Sequence, residues 1–64
     1  MNIHFAKVPT IDGRQISINT VLVQAIEDKG NTVSVCVGGN WIELNMTADE
    51  FINKCNEPFR NSGD

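Results

Sequence analysis

A chain of 64 residues carrying two cysteines and one histidine has room for one small hydrophobic core and no spare residues for a second. Its five Lys and Arg against eight Asp and Glu give a net charge of -3, with the cations scattered, which disfavours binding to a phosphate backbone. No apolar run approaches the roughly 20 residues that span a bilayer, and the first residues lack the charged-then-apolar plan of a signal peptide, so the expectation is a cytoplasmic protein.

The first element is a strand over residues 2–8, with Ile3 and Phe5 on one side and His4, Ala6 and Val8 on the other, limited by Pro9. Asp12-Gly13 then precedes the alternating run Gln15-Ile16-Ser17-Ile18-Asn19. That dipeptide suits a type I′ turn, in which both central residues take positive φ, and predicts a hairpin with Ile16 and Ile18 inward. Residues 21–27 read as a strand with a bulge or turn at Asn19-Thr20. Asp28-Lys29-Gly30-Asn31 is a polar turn. Residues 32–37 form the cleanest strand, with Val33, Val35 and Val37 inward at period two.

Gly38-Gly39-Asn40 marks the next turn, and residues 41–46 alternate with Ile42, Leu44 and Met46 on the apolar face. Thr47-Ala48-Asp49-Glu50 matches the capping box, and Met46 and Phe51 hold the positions of a hydrophobic staple around it. A helix therefore starts at Thr47. It is expected to bury Phe51, Ile52 and Cys55, to show Asn53 and Lys54 to water, and to end near Asn56 because Pro58 cannot donate to the ladder.

These elements predict an α+β, mainly β fold: a small curled antiparallel sheet of four to five strands with one C-terminal helix. Residues 1–57 would form the domain and residues 58–64 a flexible tail. A core this small usually takes a supplement. Cys36 and Cys55 read as reduced thiols used as small apolar residues, with a disulfide between them as the alternative, and one histidine with two cysteines offers no tetrahedral zinc set, so self-association is the favoured supplement and no metal or cofactor is expected.

No residue pattern points to catalysis. There is no P-loop, since Gly38-Gly39 leads into a strand, and no Ser/His/Asp set. Asp49 and Glu50 are adjacent on a helix, about 100° apart, and cannot flank one scissile bond; capping explains them. His4 reads as a surface or edge-strand histidine. The chain reads as not an enzyme.

Trp41 is the residue that stands out, because alternation places it opposite Ile42, Leu44 and Met46, just after a glycine turn. It either covers the second face of the sheet or packs on Phe59, or it belongs to a contact surface, where tryptophan is enriched. Asn40 and His4 join it as candidate partner-binding residues. The expected function is a non-catalytic module binding a protein partner. The alternatives are an oligomeric small-ligand or nucleotide sponge and, disfavoured by charge, nucleic-acid binding through the sheet.

The order of the initial strand, Asp12-Gly13, Ile16-Ser17-Ile18-Asn19, Ala25-Ile26-Glu27, Thr32-Val33, Gly38-Gly39, Ile42-Glu43-Leu44-Asn45 and a final helix with Asp49, Glu50 and Phe51 resembles the FlbD-like (SwrD) family of small bacterial proteins. The resemblance covers residues 5–54. The same plan also resembles small phage and prophage accessory proteins. It implies a fold, and either a motility accessory factor or a phage-encoded inhibitor of a host protein, with no active site to carry across.

Overall fold

The structure, a computed structural model, describes residues 4–61 and the side chains of residues 4–56. Five strands precede one helix: β1 (Phe5–Pro9), β2 (Gln15–Asn19), a 3-10 turn (Thr20–Leu22), β3 (Val23–Asp28), β4 (Val33–Val37), β5 (Asn40–Leu44) and α1 (Ala48–Asn61). The fold is α+β, with two antiparallel sheets, β1-β2 and β3-β4-β5. They are joined where Thr10 bridges Leu44 and the Asn45 N–H donates to the Pro9 carbonyl at 2.9 Å, so the end of β1 runs against the end of β5.

The alternation read in the sequence decides which side chains go inside. Ala6 and Val8 of β1, Ile18 of β2, Val33 and Val35 of β4, and Leu44 at the end of β5 are buried together with Met46, Ala48 and Phe51. Ile16, Val23, Val37, Ile42 and Cys55 pack around them. Phe51 is the largest side chain fully enclosed, which makes the first turn of α1 the plug of the core.

That turn is fixed by the capping box. The Thr47 N–H donates to the Glu50 carboxylate at 2.9 Å, and the Glu50 N–H donates to the Thr47 hydroxyl at 3.2 Å. Met46 and Phe51 on either side of the cap are both buried, as a staple requires.

Three expectations are corrected. The Asp12-Gly13 turn is not type I′: no non-glycine described residue has positive φ, and only Gly13 takes it, at 90°. The loop is longer, because Thr10 and Arg14 close it with a backbone bond of 2.8 Å while the Gly13 N–H reaches the Thr10 carbonyl. This is the three-residue hairpin with glycine at the left-handed position. The two-residue turn with both φ positive lies instead at Gly38 (60°) and Gly39 (85°), between Val37 and its partner Asn40.

Ile52 is exposed rather than buried, since the stripe facing the sheet is Ala48, Phe51 and Cys55, and Ile52 falls past its edge. Finally, α1 continues past Asn56 to Asn61. Proline removes one donor from the helical ladder and disfavours, without forbidding, helical geometry in the residue before it. Residues 62–64 of the expected tail lie outside the described residues.

The segment after β2 turns where expected, at Asn19-Thr20, but the strand read over residues 21–27 begins only at Val23, and the bulge that follows was not read from the sequence. Asn19 caps the 3-10 turn by accepting from the Val21 N–H at 3.1 Å, and a bulge between Val23 and Ala25 sets Gln24 apart. The Gln24 side chain accepts from the Gly39 N–H at 2.9 Å, tying β3 to the β4–β5 turn.

Candidate interaction surface

Trp41 occupies the second position of β5, paired with Cys36 across β4, on the face turned away from the core. The indole is 57% exposed. It stands outside the core, on the sheet face that also carries the buried Ser34 and half-buried Cys36. Phe59, the other suggested partner, lies outside the described side chains.

The residue that joins it comes from the β1–β2 loop. Because the Ile11 N–H donates to the Glu43 carbonyl at 3.4 Å, the loop lies along β5 and sets Ile11, also 57% exposed, beside the same groove as Trp41. Thr10, Ile11, Asp12, Arg14, Trp41 and Glu43 line most of this open groove of about 330 Å³. Two large apolar side chains thus stand exposed at one junction between the sheets.

The loop is held by a small polar network. The buried Thr10 hydroxyl accepts from the Arg14 N–H at 3.0 Å and donates to the Asp12 carboxylate. The Arg14 Nε–H donates to that carboxylate at 3.1 Å. The hydrogen bond from Thr10, then that from Arg14, holds the Asp12 carboxyl below its ordinary range. On the strand side, the Thr32 hydroxyl donates to the Glu43 carboxylate at 3.0 Å. The groove therefore sets one cation, Arg14, against the carboxylates of Asp12 and Glu43.

The other two candidate residues sit elsewhere. Asn40 precedes Trp41 on β5 and is exposed, but its side chain points to the opposite face by strand alternation and does not line the groove. His4 precedes β1 at the end remote from Thr10, where its carbonyl accepts from the Thr20 N–H at 2.9 Å and the Thr20 hydroxyl at 3.2 Å. Its Nε2 is buried with no hydrogen-bond partner among the described residues.

A second groove, of about 400 Å³, lies between Pro9, Asn45 and Met46 and the helix residues Glu50, Asn53 and Lys54. Glu50 there is engaged in the cap. Cys36 and Cys55 are both free and half-buried, and burial pushes the Cys55 thiol up, away from the reactive thiolate. Among the described residues, no three of His, Cys, Asp and Glu gather in a metal-binding arrangement, and no helix is long and apolar enough to cross a membrane.

The sequence pointed to Trp41 but missed Ile11 and the Thr10-Asp12-Arg14 network. A signal was present: an isoleucine directly before Asp-Gly occupies a turn, where an apolar side chain has no core to enter. No family model, curated protein or solved structure matches this chain.

Proposed function

We propose that the chain is a non-catalytic binding module that engages a protein partner through Trp41 and Ile11. The observation that carries this reading is the pair of large apolar side chains exposed at one groove on a loop-and-strand scaffold held by hydrogen bonds. A rigid indole beside an aliphatic side chain, rimmed by polar groups, has the make-up of a binding hot spot. The two carboxylates beside Arg14 favour a polypeptide with a cationic or amide-rich rim over a phosphate-bearing ligand. A core this small also favours self-association as a source of stability.

The test is quantitative capture from lysate of the source cell with the wild-type chain, Trp41→Ala and Ile52→Ala as baits. The reading predicts at least one protein whose recovery falls tenfold or more with Trp41→Ala and stays unchanged with Ile52→Ala. Equal recovery of every captured protein by all three baits would reject it.

A further inference from the structure

Of the outer strands of the two sheets, β1 and β5 meet end to end at Thr10 and Leu44 and carry Lys7 with Pro9 and Glu43 respectively, while β2 and β3 differ in a way that selects one of them for pairing. Hydrogen bonds between Thr10 and Arg14 and from the Thr20 N–H to the His4 carbonyl fix the phase of the β1–β2 ladder. With the register Val8↔Ile16 and Ala6↔Ile18, the backbone groups of Ile16 and Ile18 face β1, and those of Gln15, Ser17 and Asn19 face outward. No described residue hydrogen-bonds to those outward groups.

β3 carries the devices that blunt an edge. It has a bulge at Gln24, whose side chain is spent on Gly39, and it ends in Glu27 and Asp28. β2 reads Gln-Ile-Ser-Ile-Asn: regular, β-prone and without charge, bulge or proline.

We propose that β2 pairs antiparallel with β2 of a second copy of this chain, about a two-fold axis at Ser17. This rests on the self-association reading above and names its surface. The pairing sets Ser17 opposite Ser17, Gln15 opposite Asn19, and Ile16 opposite Ile18. The outward backbone groups of all three polar residues then find partners in alternating hydrogen-bonded pairs. The amide pairs are free of like-charge repulsion, and the two Arg14 side chains stand at opposite ends of the paired strands, about 20 Å apart along the strand direction.

Charge and shape both support a second copy as the occupant. The half-buried Ile16 gains an aliphatic neighbour across the axis. The strand is flanked by exposed Ile11 before it and by exposed Val21 and Leu22 after it, and antiparallel pairing brings these unlike ends of the two copies to the same end of the interface. The surface is thus self-complementary, as a closed two-fold dimer requires.

The experiment is native mass spectrometry with sedimentation of the full chain at 1–200 μM, for wild type, Ser17→Lys and Ala25→Lys. Ser17 and Ala25 are both exposed positions of outer strands. The expected result is a wild-type dimer, at least a tenfold weaker dimer for Ser17→Lys with unchanged circular dichroism, and an unchanged dimer for Ala25→Lys. A nitroxide at Ser17→Cys, in a Cys36→Ser/Cys55→Ser background, should show the dipolar broadening of two labels on adjacent strands. A wild-type chain monomeric throughout overturns both self-association and its surface. A dimer that survives Ser17→Lys, or gives no broadening at position 17, overturns the β2 assignment alone.

Discussion

β3 and β4 are paired neighbours in one sheet and similar in length, yet every β4 residue is buried or half-buried while all of β3 beyond Val23 is exposed. The difference is position: β4 has partners on both sides and lies beneath the core, whereas β3 forms the outer strand. Membership of a sheet therefore says little about how much a strand contributes to stability. What matters is whether its inward residues meet Phe51, Leu44 and Val8, which are themselves fully enclosed.

The sharpest way to break the comparison is in the core it depends on. Phe51→Ala should cost about 3–5 kcal/mol and leave the chain largely unfolded at room temperature, measured by urea denaturation. A loss below about 1 kcal/mol would show that the helix is not the plug. Next, Val35→Ala on β4 should cost about 2 kcal/mol, and Ile26→Ala, its partner on β3, about 1 kcal/mol or less, although isoleucine is the larger residue. Equal losses would erase the distinction between the two strands.

A smaller effect tests the join between sheet and helix. Thr47→Ala removes one half of the capping box and should cost about 1 kcal/mol, with Thr47→Ser recovering most of it. The smallest concerns Asp12. Its carboxyl is held low in the folded chain, so it adds stability that is complete above the unfolded-state value and is lost as pH falls through the folded one. Wild type should therefore melt slightly above Asp12→Asn at pH 7, and the gap should narrow as pH falls below the ordinary carboxylate range. A gap that widens on acidification would contradict the Thr10-Asp12-Arg14 network.

Much of this was legible because it is periodic or local. Val33, Val35 and Leu44 declare their face by alternation, and Thr47 with Glu50 declares a cap by spacing alone. The Asp12-Gly13 turn misled because its geometry is set by Thr10, whose buried hydroxyl holds the Arg14 N–H and lengthens the loop; nothing in the dipeptide encodes that. Ile52 misled because a stripe centred on Ala48, Phe51 and Cys55 leaves it only a fraction of a turn off the buried face. Trp41 was legible as an outward residue, but its association with Ile11 depends on β1 running into β5, which no local pattern reveals.

The claim that Trp41 is a contact residue is tested most directly by photo-crosslinking in the source cell, with benzoylphenylalanine placed at position 41 or, as a control on the helix, at position 52. The account predicts a discrete adduct to one protein species from position 41 and none of that species from position 52. No adduct at position 41, or the same adducts from both positions, would contradict it.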